Sequence, residues 1–229
     1  MIAVILAGRH AELGREDGAL SPKILAPAAG KPLLERQLAW LKDNGISAAV
    51  LCLGVGAEAV RAKFGDGVDF GVSLRYLVED APLGTAGAVK ALGSASLPEN
   101  ILVLAADAWP RGDGRRFIAH HLAHDALATL CVHECAHPRL CDPVVLGPGH
   151  AVMELPKRPL VGGYPLALSP LFLLRREFLR MIPEGGAFDF TRDAFPACLR
   201  RGRPLAGFLD TELVADLSLP AAARKIKAR

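Results

Sequence analysis

The feature that most constrains this chain is its first apolar run, Ile2–Leu6, which ends in Ala7-Gly8 and gives way to a polar loop. An unbroken aliphatic run bounded by glycine, with no polar alternation, predicts a strand buried on both faces, as in a parallel sheet. Ligands of open α/β sheets sit beyond the carboxyl ends of the strands. That places Leu6, Ala7 and Gly8, with the basic residues Arg9, Arg15 and Lys23 that follow, where a phosphate-bearing ligand would lie. The loop is poor in glycine for such a task.

Similar runs recur at Ala48–Leu53, Ser73–Val78 and Ile101–Ala105, with helical patterns between them. Leu33–Asn44 has apolar residues at 33, 34, 38 and 41, Pro32 at its first turn and Gly45 just past its end. Those are helix start and stop signals in the correct order. Ala57–Phe64 and Gly84–Leu92 read as further helices. Strands alternating with helices predict right-handed crossovers and an α/β fold, a Rossmann-like doubly wound sheet that is mixed but mainly parallel.

The later half is less regular. It predicts a helix over Arg115–Ala126, a strand over Ala128–His133 and a hairpin over Pro143–Leu155 about Gly147-Pro148-Gly149. A strand at Tyr164–Leu168, helices at Pro170–Met181 and Thr191–Arg201, and a strand at Leu205–Leu209 complete the expectation. A chain of 229 residues can bury one large core, so a single domain is expected, with a doubly wound core over 1–110 and a substrate-side part with closing strands over 111–229.

A net charge of +3 is too small for a nucleic-acid-binding face, and the basic tail Arg224–Arg229 reads as a solvated end. No apolar run approaches the roughly 18–20 residues that span a bilayer. Five cysteines do not read as a disulfide framework, so a cytoplasmic protein is expected. The stretch Cys131–Cys141, near His120, His121 and His124, lacks the paired spacing of strong zinc patterns and reads as buried thiols and surface histidines.

Asp107 ends the run Ile101–Ala106, and Asp210 follows the apolar segment Pro204–Leu209. Two carboxylates at strand ends suit Mg²⁺, which takes one or two carboxylates together with phosphate oxygens. The segment Glu79–Val89 (EDAPLGTAGAV) is the most specific local signature. There Pro82 sets a turn, Gly84 and Gly87 leave room for a flat ring, Thr85 offers a hydroxyl, and small residues open a helix with outward amides. Lys23 and Lys157 are each held between or beside prolines, which lowers the entropic cost of fixing a cation against phosphate.

With these segments in view the chain resembles the sugar-1-phosphate nucleotidyltransferases, and within them the short guanylyltransferases for mannose 1-phosphate and heptose 1-phosphate. The resemblance rests on VILAG at Val4–Gly8, PKIL at Pro22–Leu25, GKPLLE at Gly30–Glu35 and FGDG at Phe64–Gly67. It continues with EDAPLGTAGAV, LVLAAD at Leu102–Asp107, FDFTRDAFP at Phe188–Pro196 and FLD at Phe208–Asp210. It implies Mg²⁺ on Asp107 and Asp210, nucleotide contacts from Leu6, Ala7, Gly8, Arg9, Arg15, Lys23, Glu79, Pro82, Gly84 and Thr85, and acceptor contacts from Trp109, Lys157 and Gly163. Lys23, Asp107, Lys157 and Asp210 would be the catalytic set. The implied partners are a nucleoside triphosphate and a phosphorylated small molecule, with no nucleic acid or membrane, and a homodimer is compatible. The β-helix module of longer relatives is expected to be absent.

The chain also departs from the family pattern. Aligned with LAGGxGTRL, Arg9 and Ala11 stand at glycine positions and Leu13 at the arginine. Pro156-Lys157-Arg158 replaces EKP, and Val161-Gly162-Gly163 replaces Asn-Ala-Gly. The family's DIGTP is met by Asp210-Thr211-Glu212-Leu213-Val214. The expected reaction is nucleotidyl transfer from a triphosphate, GTP favoured, to a sugar 1-phosphate. Two other readings stay open on these departures: a non-catalytic relative that binds nucleotide and regulates a partner, and a transferase with a non-sugar phosphate or phosphonate acceptor.

Overall fold

The computed structural model describes residues 1–8, 12–14, 20–135, 141–157 and 165–218. Its centre is a seven-stranded sheet: β1 (Ile2–Ala7), β2 (Ala48–Leu53), β3 (Ser73–Val78), β4 (Asn100–Ala105), β5 (Ala128–Glu134), β6 (Leu166–Arg175) and β7 (Leu205–Leu209). Across the sheet they run β7-β5-β6-β4-β1-β2-β3. The pairs β1·β2, β1·β4, β2·β3 and β5·β7 are parallel, and β6 runs antiparallel between β5 and β4. The sheet is mixed and mainly parallel, as expected.

Helices α1 (Leu33–Asp43), α2 (Ala57–Phe64), α3 (Gly84–Ala91), α4 (Gly114–Ala123) and α5 (Phe195–Arg200) cover its two faces. Period-two alternation along β1 shows why. Ile2, Val4 and Leu6 join one cluster with Ala86 and Val89 of α3 and the ring group Phe178, Phe190 and Phe195. Ala3, Ile5 and Ala7 join another with Leu34, Leu38 and Leu41 of α1, Val60 of α2 and Phe117 of α4. Each strand residue is buried on one side or the other, which is what the unbroken apolar run requires.

The expected helix at Pro170–Met181 is not formed. Residues 166–175 are one strand, and a 3₁₀ segment, Arg176–Met181, follows it. Pro170 is tolerated there because the ladder to β5 is interrupted: register shifts between Leu130 and Val132, whose partners are Phe172 and Leu168. Pairing to β4 begins only at Leu171. The missing N–H therefore falls where no ladder bond is due. The expected hairpin at 143–155 is present as the ribbon Val145–Leu146 with Val152–Glu154.

Cysteine use also differs from expectation. Cys135 and Cys141 form a disulfide with their Cα atoms 7.0 Å apart, while Cys52, Cys131 and Cys198 are free and buried. The six-residue spacing gave no hint of this pairing. No helix among the described residues is long and apolar enough to cross a membrane.

Candidate functional site

The carboxyl ends of β1, β3 and β4 deliver Gly8, Glu79 and, one residue beyond Ala106, Asp107 to a common cleft. A Cβ on Gly8 would stand 2.9 Å from the Glu79 carboxylate, so the glycine leaves that side chain its place against the end of β1. Lys23 reaches the same place by another route. A ribbon, Glu12–Gly14 with Leu20–Pro22, leads into the 3₁₀ turn Lys23–Leu25. Pro22 presets the turn and the buried Ile24 anchors it. The Lys23 Nζ then lies 3.7 Å from Asp107 Oδ2.

The loop that carries Asp107 is fixed from below by a buried glutamine. Gln37 Nε2 of α1 donates to the carbonyls of Ala105 (3.0 Å) and Ala108 (2.7 Å). From the side, Leu217 N–H donates to the Asp107 carbonyl at 2.9 Å, and the short ribbon Ala108–Pro110 pairs antiparallel with Val214–Asp216. Asp216 is thereby set next to Asp107. Burial raises the Asp107 proton affinity first, and the Asp216 charge raises it further, against the opposing Lys23 ammonium.

Asp210 is placed differently. Its Oδ1 accepts from the N–H groups of Glu212 (2.9 Å) and Leu213 (3.0 Å), so its carboxylate closes its own turn. The second aspartate beside Asp107 is therefore Asp216, not Asp210. A signal was available: Asp216-Leu217-Ser218-Leu219-Pro220 matches the D-x-small-x-P form of DIGTP, six residues later than the position first aligned. Asp216 uses Oδ1 to accept from Ser218 N–H and Oγ, and its other oxygen has no donor among the described residues.

The cleft, about 220 Å³, is lined by Gly8, Lys23, Glu79, Pro82, Gly84, Thr85 and Asp107 among others. A second cavity of about 250 Å³ adjoins it and holds His133, Asp142, Ser169 and Asp216. The two share Leu6, Thr85, Ala105 and Asp189 as common walls. Asp107 faces one chamber and Asp216 the other, so the acidic pair stands at their junction.

The glycine-rich turn also packs against a distant segment. Gly84 (φ +71°) lies so near the Phe188 backbone that a Cβ would be 2.6 Å from its carbonyl oxygen, and Gly87 packs near Gly186. These glycines admit a neighbouring chain segment, and Gly84 also lines the cleft. The first amides of α3 are likewise spent: Thr85 N–H donates to Asp189 Oδ1, and Ala86 and Gly87 N–H both donate to the Phe188 carbonyl. The Thr85 hydroxyl donates to Asp189 and accepts from Phe190 N–H. Asp189, part of the wall between the chambers, is held by these bonds.

Trp109 and Lys157 line neither chamber. Trp109 carries the Arg111 guanidinium 5.6 Å from its ring, and Lys157 is exposed. Arg9, Arg15 and Gly163 lie outside the described residues. Asp189, His133 and Gln37 were missed by sequence reasoning. The first two are brought to the site by contacts across the fold rather than by any local pattern, and a buried glutamine on an amphipathic helix carries no signal of what it holds.

Against known proteins, the nucleotidyl transferase family model matches residues 17–209. The chain belongs to the nucleotidyl transferase family. It is 25% identical over 219 residues to the mannose-1-phosphate guanylyltransferase of Mycobacterium tuberculosis, covering 95% of this chain and 61% of that protein. It is 31% identical over 132 residues to the D-glycero-alpha-D-manno-heptose 1-phosphate guanylyltransferase of Aneurinibacillus thermoaerophilus, covering 58% of this chain and 57% of that one. The chain thus spans about three fifths of the length of the curated relatives it matches. Among solved structures, HddC from Yersinia pseudotuberculosis superposes with a TM-score of 0.82 at 21% identity, over 100% of this chain and 99% of that one. At that identity the likeness bears on the fold, which is the same.

Proposed function

We propose that this chain transfers a nucleoside monophosphate from a nucleoside triphosphate, GTP by preference, to a sugar 1-phosphate, releasing pyrophosphate. The observation that carries this reading is the pair Asp107 and Asp216 at the junction of two chambers, one a strand-end cleft and the other the adjoining cavity. The nucleotide occupies the cleft beside Gly8, Lys23 and Glu79, and the acceptor occupies the cavity beside Asp142 and Ser169. The guanylyltransferases among its relatives support GTP and a sugar phosphate. The part of the chain to about residue 110 serves the nucleotide and the remainder the acceptor, within one domain. Its partners are small molecules of the cytoplasm, and a homodimer is compatible with the reading.

The divalent cation of this reading is Mg²⁺, and the residues present fit it. The Asp216 carboxylate stands near enough to Asp107 to disfavour the Asp107 charge, a cost that a divalent cation removes. They are oxygen donors in the small number Mg²⁺ takes from protein. When bound there, it supplies charge neutralisation to phosphate oxygens.

The remaining work belongs to the chain. An acceptor phosphate oxygen attacks the α-phosphorus, and the bond to pyrophosphate breaks. No general base is needed, because a phosphate monoester with a second pKa of about 6 is already largely ionised. Catalysis then reduces to alignment and charge placement. Lys23 supplies a cation to the triphosphate, Gln37 keeps the Asp107 loop in position, and Asp189 holds the wall against which both substrates meet.

Pyrophosphate release, measured with Mg²⁺ for five triphosphates against a panel of sugar 1-phosphates, tests the reading. Release requiring GTP together with one acceptor is expected. No release from any pair, with the protein folded and the triphosphate bound, would contradict it.

A further inference from the structure

One cluster beside the acceptor cavity is not used by the reaction above. His133 at the end of β5 and the two cysteines Cys135 and Cys141 place one donor atom each within 4.8 Å of the others. Zinc bound to two thiolates and an imidazole has Zn–S bonds of about 2.3 Å and a Zn–N bond of about 2.0–2.1 Å, so tetrahedral donors stand about 3.5–3.8 Å apart. The three groups are therefore close enough to share one ion with small side-chain adjustments.

A second observation supports a ligand role for His133. Its Nδ1 is 2.9 Å from Ser169 Oγ, and Ser169 is 2% exposed. A ring nitrogen tied to a buried hydroxyl fixes the orientation of the ring and leaves the other nitrogen to coordinate, as hydrogen-bonded partners do for metal-bound histidines. His133 and Cys141 both line the cavity that also holds Asp142 and Asp216.

We propose that His133, Cys135 and Cys141, with the two cysteines reduced, form a site for a thiophilic divalent cation of the Zn²⁺ class, with its remaining coordination position open to the acceptor cavity. Binding is Zn²⁺ + 2 R–SH → Zn(SR)₂ + 2 H⁺, so it strengthens with rising pH. The disulfide is the alternative state of the same two sulfurs. An external thiol or phosphine reductant converts it to the dithiol, taking up the oxidising equivalents as its own disulfide or phosphine oxide. Use of the open position by an acceptor oxygen rests on the nucleotidyl-transfer reading; binding of the ion does not.

The test is a Co²⁺ titration of the reduced full chain under nitrogen, followed by ultraviolet and visible absorption. One equivalent should produce a sulfur-to-cobalt charge-transfer band with the intense visible bands of four-coordinate cobalt, and Zn²⁺ should abolish both. Cys135→Ser and Cys141→Ser should each weaken the ion by at least tenfold and diminish the sulfur band. Ser169→Ala should weaken it by about 10–100-fold. Asp107→Asn, at the separate acidic pair, should leave the sulfur band in place. Inorganic phosphate should shift the visible bands. A reduced protein with no sulfur band, a band that survives loss of both cysteines, or a pair that thiol titration finds closed in the presence of reductant would overturn the site. A spectrum indifferent to phosphate would overturn the open position.

Discussion

The two chambers differ in how they are made. The cleft is assembled by strands that each deliver one residue at a carboxyl end: Gly8 from β1, Glu79 from β3 and Asp107 from β4. The adjoining cavity is assembled by segments far apart in sequence: His133 from the end of β5, Ser169 from the middle of β6, Asp189 before α5 and Asp216 from a two-stranded ribbon. The first kind of site follows from the direction of a parallel sheet. The second depends on an inserted antiparallel strand, a bulge and a closing ribbon. A site of the second kind can change its lining without disturbing the parallel part of the sheet.

Substitutions on each side should separate the two chambers. The largest expected effect on stability is Phe195→Ala. Phe195 is fully buried and packs on Phe172, Phe178 and Phe190 beneath the cavity. Its loss should cost about 3–5 kcal/mol in urea unfolding, and KM for the acceptor should rise more than KM for the triphosphate. Gln37→Leu acts on the other side. It removes both bonds to the Asp107 loop and leaves two carbonyls without a donor, so about 1–3 kcal/mol is expected. Here kcat should fall with little change in acceptor KM; the reverse pattern would break the distinction.

A smaller effect is expected at His121, beneath the sheet and remote from both chambers. Burial first, then Arg175 and His120, lower its pKa from 6.5 to about 4, and its ring bonds to Thr129 and Asn100. The folded state keeps it neutral while the unfolded chain protonates, so stability should fall as pH drops from 6.5 toward 4. Stability curves across that window should be flatter in His121→Gln, with activity at neutral pH unchanged.

Much of this was legible in sequence where a local rule decides the outcome. The strands Ala48–Leu53 and Ser73–Val78 and the helix Ala57–Phe64 have the expected bounds because apolar period and terminal glycines act within a few residues. Asp107 was legible as the residue after a buried strand. Pro170 was misread because proline in a strand is permitted only by an interruption in a partner ladder, which no local pattern reveals. The glycines of the EDAPLGTAGAV turn were rightly singled out but serve the segment at 186–190, a contact about a hundred residues distant. Asp210 drew attention because it follows the apolar run Pro204–Leu209, and Asp216 carried no such mark. The short ribbon Val214–Asp216 is too brief to announce itself, and only its pairing with Ala108–Pro110 brings its aspartate to Asp107.

The most direct test of the acidic pair compares Asp216→Asn with Asp210→Asn in Mg²⁺-dependent pyrophosphate release. Asp216→Asn should lose on the order of 10²–10³ in kcat, the scale of removing one electrostatic stabiliser of a transition state. Asp210→Asn, which disturbs only its own turn, should stay within a few-fold of the parent. Equal activity in the Asp216 variant and the parent, or a larger loss at Asp210, would contradict the pairing of Asp107 with Asp216.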